Sequence, residues 1–120
     1  MREEKQPAVY ILSNKRNGTL YIGVTSALWY RVCDHKNRRF PGYSSRYGLT
    51  MLVWYENHPT MPSAIHRETR LKKWKRDWKL SMITVFNPDW RDLHDEIDST
   101  INAVDDFATR KVAPPDGWPA

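Results

Sequence analysis

The apolar positions repeat with different periods along the chain. Ala8-Val9-Tyr10-Ile11-Leu12-Ser13 is a β-branched and aromatic run, and Thr19-Leu20-Tyr21-Ile22-Gly23-Val24-Thr25 is another. Both read as strands. The polar stretch Asn14-Lys15-Arg16-Asn17-Gly18 between them ends in Asn-Gly, a hairpin signal. Tyr10 and Tyr21 stand about equally far from the loop centre, which predicts that they are neighbours across the ladder.

The period then lengthens. Thr25-Ser26 can cap a helix from about Ala27 to Arg38, with Leu28 and Val32 on its buried side. Phe40-Pro41-Gly42 stops it, and Gly42 to Gly48 reads as a loop. Met51-Leu52-Val53-Trp54-Tyr55-Glu56 predicts a third strand. Thr60 caps a long helix that tolerates Pro62 in its first turn. Its apolar stripe is Met61, Ala64, Ile65, Leu71, Trp74 and Trp78, and its outer faces carry Arg67, Arg70, Lys72, Lys73, Lys75, Arg76 and Lys79. A further helical segment is predicted from Lys79 to Phe86, and Asn87-Pro88-Asp89-Trp90 looks like a new helix start. Leu93, Ile97, Ile101 and Val104 form one face of an acidic amphipathic helix over 92–108, before a Pro-rich end.

Composition narrows the class. A chain of 120 residues with 40% hydrophobic residues and six Trp can build one core, so we expect a domain over 1–93 and a helical extension over 94–120. No apolar run is long enough to span a membrane. The charged start, Met1 to Gln6, lacks a secretory apolar segment, and Cys33 stands alone. Both point to the cytoplasm. Cys33 is expected as a small buried filler.

Net charge is +5, but its distribution is more informative. Residues 1–90 hold 16 Lys and Arg against 7 Asp and Glu, a balance of +9; residues 91–120 hold 3 against 7, a balance of −4. A basic body suggests a polyanionic partner such as nucleic acid. The acidic tail is expected to lie against that body and to compete with DNA. Its apolar stripe must bury on the body or on a second chain, so a homo-oligomer through 93–108 is a second expectation.

Five positions carry candidate chemistry. Glu68 falls in the gap of an apolar stripe, where a carboxylate is costly unless paired or bound to a metal. Its structural alternative is an ion pair with Arg31 or a nearby Arg. Arg31 and His35 are four apart and share a helix face. An Arg can hold a phosphate by two parallel hydrogen bonds, and an imidazole can donate to an oxygen or move a proton. Tyr10 and Tyr21 are ordinary strand aromatics when taken singly. A phenol beside a hydrated metal or an Arg could have a lowered pKa and act as a base. Gly23 leaves room for close approach of a backbone or phosphate. His58 and His66 read as surface residues, and no zinc spacing or Gly-rich phosphate loop is present.

Two tyrosines on paired strands, a cation and an imidazole on one helix face, and an inward carboxylate together suit phosphodiester hydrolysis. The ordered series resembles the GIY-YIG endonuclease family, small stand-alone type, over residues 7 to about 93. It runs through Val9-Tyr10-Ile11, Tyr21-Ile22-Gly23, Arg31, His35, Gly42-Tyr43, Arg46-Tyr47-Gly48, Trp54-Tyr55-Glu56 and Ala64-Ile65-His66-Arg67-Glu68. It continues through Leu71-Lys72-Lys73-Trp74 and Asn87-Pro88-Asp89-Trp90. Val9 stands in place of the first Gly, and Val24 stands where some members carry Lys. Arg46 could supply that missing cation.

The resemblance implies an α+β fold, a small three-stranded antiparallel sheet flanked by helices, here with an acidic C-terminal helix added. It implies DNA phosphodiester cleavage with one divalent metal, Mg2+ or Mn2+, ligated by Glu68. Tyr10 would lie by the nucleophilic water, and Tyr21 would orient the phosphate or water. Arg31 would stabilise developing charge, and His35 would make a second phosphate or water contact. Asn87 matches a distal Asn that some members place near the site, and it reads equally as a helix cap. Gly23, Arg38, Arg39, Arg46, Lys72, Lys73, Lys75 and Arg76 are the expected DNA contacts, binding backbone without reading sequence. Selection is then expected by DNA form, with branched or single-stranded DNA preferred to plain duplex. The competing readings are a nucleic-acid-binding module too weak to turn over, and an interaction protein acting through the acidic helix.

Overall fold

A computed structural model of the protein describes residues 5–37, 42 and 46–97. Arg38, Arg39 and the acidic segment beyond Ile97 lie outside the described residues. Three strands, β1 (Ala8–Ser13), β2 (Leu20–Thr25) and β3 (Met51–Asn57), form one antiparallel sheet in the order β2-β1-β3. Three α-helices accompany it among the described residues: α1 (Leu28–Lys36), α2 (Met61–Lys73) and α3 (Arg76–Phe86). The α+β architecture expected from the sequence is the one observed.

The centre of the sheet explains the composition of β1. Every residue of this strand is buried, because both of its faces are covered. Val9 and Ile11 look toward α2 and α3, where they pack with Ile22, Trp54, Leu71 and Trp74. Tyr10 and Leu12 look the other way, onto Leu28 and Val32 of α1 and onto Leu93 and Ile97. A bulge between Ile11 and Leu12 leaves Val53 without a partner in the β1–β3 register, so Val53 and Trp54 join one core while Leu52 and Tyr55 join the other. Deleting most of a side chain such as Ile11 from this sandwich would cost about 2–5 kcal/mol.

Several element boundaries differ from expectation. The helix expected from Ala27 to Arg38 is described from Leu28 to Lys36, with Ala27 as its cap and no side-chain capping bond. The Thr25 hydroxyl instead accepts the Ala27 N–H at 3.0 Å, a turn that sets the entry angle. Thr60 does cap α2, accepting from the Ser63 N–H at 3.2 Å. The long helix breaks at Trp74 and Lys75, whose backbones are extended, and α3 begins at Arg76 rather than Lys79. No Gly or Pro marks that break. Burial of the Trp74 indole, 5% exposed, accompanies it. Ile65, expected on the buried stripe, is 46% exposed.

Asn87 opens no helix. It ends α3, and Asn87-Pro88-Asp89-Trp90 is a turn in which Trp90 takes a positive φ of 51°. Of the helix expected over 92–108, residues Leu93–Glu96 form a single 3-10 turn that ends at Ile97, whose backbone is extended, and the remainder lies outside the described residues. Leu93 and Ile97 are buried against the α1 face of the sheet, so this part of the stripe is covered by the chain itself.

Candidate functional site

On the α1 face of the sheet, Tyr10 sits opposite Gly23 and Leu12 sits opposite Tyr21. The two tyrosines are therefore diagonal neighbours, with ring centroids 6.2 Å apart. The His35 ring closes a triangle with them, 5.9 Å from Tyr10 and 5.2 Å from Tyr21. Tyr10 Oη lies 3.0 Å from His35 Nε2. Tyr10 is 2% exposed and His35 4%, so both rings are buried. Arg31, one turn before His35 on α1, acts electrostatically on both.

Gly23 explains how Tyr10 fits. A Cβ at position 23 would stand 2.6 Å from Tyr10 Cζ and Oη, inside van der Waals contact. The space that glycine clears is thus filled by the Tyr10 ring, where the sequence suggested room for a phosphate or backbone.

Burial raises the Tyr10 phenol pKa well above its ordinary value, and the neighbouring Tyr21 adds to this; the charge of Arg31 opposes it without prevailing. For Tyr10, the Arg31 charge alone does not give the lowered phenol pKa envisaged from sequence. His35 is shifted down, first by burial and then by the Arg31 charge, so its neutral form is favoured. A neutral imidazole can accept the Tyr10 proton at Nε2, which puts the ring proton on Nδ1.

Glu68 projects from α2. Its side chain is 16% exposed and its Oε2 lies 3.0 Å from Lys72 Nζ, one turn on. The ion pair is therefore with Lys72, not with an arginine. The Glu68 charge is felt at Tyr10, where it opposes ionisation. Among the described residues no group of three His, Cys, Asp or Glu could hold a metal together. A lone carboxylate still suits Mg2+, which keeps several waters and binds through one or two carboxylates plus substrate phosphate.

The other expected contacts are dispersed. Asn87 is 3% exposed, and its Nδ2 donates to the Val53 and Arg91 carbonyls at 3.2 and 2.9 Å. Arg76 Nη2 donates to the Asn17 and Gly18 carbonyls, each at 2.7 Å. Lys75 lies over the Trp78 ring and Arg46 over Tyr47, while Lys73 is exposed. Arg67 turns inward, donating to Glu56 Oε1 at 3.0 Å and lying over the Trp54 and Trp74 rings. His58 is not a surface residue: it bridges Glu56 Oε1 at 2.7 Å and Ser63 Oγ at 2.6 Å. His66 is exposed, as expected.

Asp92 is the supporting residue that sequence reasoning passed over. It pairs with Lys36, next to His35, and accepts the Leu52 N–H at 3.1 Å and the His94 N–H at 3.0 Å. It thereby ties α1 to β3. An Asp directly before a helical turn was a readable cap signal. Cys33 is half-buried, with Sγ 3.7 Å from His94 Nε2.

A three-stranded sheet with a Tyr–Tyr–His triangle, a flanking Arg and a carboxylate on the adjoining helix makes a small α+β domain. Residues 6–91 match the GIY-YIG catalytic domain, and the chain belongs to that family. Two UPF0213 proteins of Staphylococcus epidermidis, from different strains, are each 33% identical to it over 75 residues, spanning 62% of this chain and 90% of theirs. No solved structure matches the chain. The family is one of nucleases, generally dependent on a divalent metal, and DNA is its substrate class. No helix among the described residues is long and apolar enough to cross a membrane.

Proposed function

We propose that the protein is a metal-dependent DNA endonuclease that selects its substrate by DNA form rather than sequence, and that it works in the cytoplasm. The observation that carries this reading is the 3.0 Å Tyr10–His35 contact, with the charges of Arg31 and Glu68 both felt at Tyr10. In hydrolysis a water oxygen forms a bond to phosphorus while the bond to the leaving sugar oxygen breaks. The attacking water must lose a proton. The Tyr10 hydroxyl accepts it while passing its own proton to neutral His35 Nε2, so no free phenolate is needed. Tyr21 holds the phosphate or water in line. Arg31 donates to the phosphate oxygens as negative charge grows on them. Glu68 would hold Mg2+ or Mn2+, which supplies Lewis-acid polarisation of the phosphate and charge relief at the leaving oxygen.

A second reading, a DNA-binding module without turnover, draws on the depth of Tyr10 and the engagement of Glu68 by Lys72. One assay separates the two. Wild type and Glu68→Ala are incubated with single-stranded, duplex, flap and four-way junction DNA, each with Mg2+, Mn2+ or EDTA. Metal-dependent cutting that the variant loses supports the nuclease, and the preferred form names its substrate. Equal DNA binding by both proteins without cutting of any form selects the binding module.

A further inference from the structure

Beyond the tyrosine triangle, the tip of the β1–β2 hairpin and the start of α3 border an open hollow of about 590 Å3. That lies within the range of roughly 300–1,000 Å3 typical of ligand sites. Lys15, Arg76 and Lys79 line it together with Asn17 and Thr19, and no acidic side chain does so among the described residues.

The hairpin tip is braced. The two Arg76 bonds to the Asn17 and Gly18 carbonyls fasten it to α3, and Arg16 Nη1 donates to the Pro88 carbonyl at 2.9 Å. Within the loop, Ser13 Oγ donates to the Lys15 carbonyl at 2.7 Å and Asn14 Oδ1 accepts the Thr19 N–H at 3.1 Å. A Cβ at Gly18 would stand 2.1 Å from Asn14 Oδ1 and displace the Asn14 side chain that holds the loop. A loop fixed in this way needs little further ordering on binding. Partial burial, and then the Arg76 charge, hold the Lys79 ammonium below its ordinary range. An anion between these cations would relieve both their repulsion and their desolvation.

We propose that this hollow is a subsite for a backbone phosphate of the nucleic-acid strand that the Tyr10–His35 site cleaves; the assignment rests on the nuclease reading above. Leu20, which packs on the α2–α3 side of the sheet, lines the hollow, and Tyr21 beside it belongs to the Tyr10 side, so a strand reaching both sites passes around the β2 edge of the sheet. Lysine and arginine contacts of this kind position a strand without reading its bases.

The test uses the full chain with Lys15→Gln, Lys79→Gln and the double variant, each first matched to wild type by thermal melting. Affinity for a flap oligonucleotide is measured in EDTA over a series of KCl concentrations. The double variant is expected to show a salt slope shallower by about one, the loss of one phosphate contact. A neutral methylphosphonate, walked along the strand, should weaken wild type at one position away from the cut and cost the double variant nothing there. An unchanged slope and an unchanged methylphosphonate profile overturn the subsite, even if wild type still cuts DNA. A shallower slope in a protein that cuts no DNA keeps the phosphate contact and removes the hydrolytic reading instead. Tight binding of a free mononucleotide that is lost in Lys79→Gln also overturns the proposal, since the hollow then serves a soluble ligand.

Discussion

Tyr10 Oη meets His35 Nε2 at 3.0 Å in a space where neither side chain is more than 4% exposed. The bond joins the central strand to α1, where Tyr10 also packs with Leu28 and Val32. Replacing Tyr10 by Phe removes the hydroxyl and with it this bond to a buried imidazole. The expected cost in stability is about 1–3 kcal/mol. Loss of the proton relay should lower cleavage by about 10²–10⁴-fold with DNA affinity preserved. Chemical denaturation and single-turnover cleavage check the two effects separately. A Tyr10→Phe variant that cuts at the wild-type rate would remove Tyr10 from proton transfer.

Gly23 is expected to be intolerant of even one methyl group. The Cβ of Gly23→Ala would meet Tyr10 Cζ and Oη at 2.6 Å, and the ring is hemmed in by Tyr21 and His35. Overpacking of this kind costs about 1–3 kcal/mol. The Tyr10 ring should move, so Gly23→Ala should also lose activity. Combining Gly23→Ala with Tyr10→Ala should restore part of the stability that the two substitutions cost separately, as a double-mutant cycle by denaturant unfolding would show. Simple additivity would mean that the two positions do not press on each other.

The same pair shows what the sequence could and could not convey. The strand runs, the Asn-Gly hairpin and the Thr60 cap were legible because each depends on local chemistry. The proximity of Tyr10 and Tyr21 followed from hairpin symmetry, but the register did not, because a shift of two residues preserves the face of every side chain. That Tyr10 would fill the space over Gly23, and so have its phenol pKa raised rather than lowered, required knowing how deeply α1 covers the sheet. The break between α2 and α3 carries no Gly, Pro or capping side chain, so only the packing of Trp74 reveals it. Asn87 fitted a helix start equally well, and it is the Val53 and Arg91 carbonyls that make it a tie at a helix end.

Lys72 competes for the carboxylate that would hold a metal. Its side chain is 54% exposed, and an exposed pair spaced four apart on a helix contributes about 0.3–0.5 kcal/mol at most. Lys72→Gln should therefore barely move the melting temperature. It should lower the Mg2+ concentration needed for half-maximal cleavage, because the Glu68 oxygens lose a neighbouring cation. It should also weaken DNA binding slightly if Lys72 reaches the backbone, so the metal titration is run at saturating DNA. A higher Mg2+ requirement in the variant would show that Lys72 helps to present Glu68 instead of masking it.

Asp92 makes the fold sensitive to acid. Burial pushes its carboxyl up, but the Lys36 ammonium and the His94 and Leu52 N–H groups together hold it below the ordinary value of 3.8. A carboxylate depressed on folding stabilises the protein at every pH above its unfolded value and loses that contribution as pH falls through the folded value. The window for Asp92 thus lies below 3.8. His35 acts earlier: its folded value lies below 6.5, so stability is already being lost as pH drops from 6.5 toward that folded value. Asp92→Asn should cost about 1 kcal/mol at pH 7, a modest figure because the Lys36–Asp92 pair is about one-third exposed and screened by solvent. The deficit should shrink as both proteins are taken below pH 3.8, since wild type then loses its own carboxylate. The decline near pH 6 should persist in Asp92→Asn and diminish in a His35→Gln variant. Urea unfolding at pH 7, 5.5, 4 and 2.5 reads both windows, and a deficit for Asp92→Asn that stays constant down to pH 2.5 would mean that its charge does not hold α1 against β3.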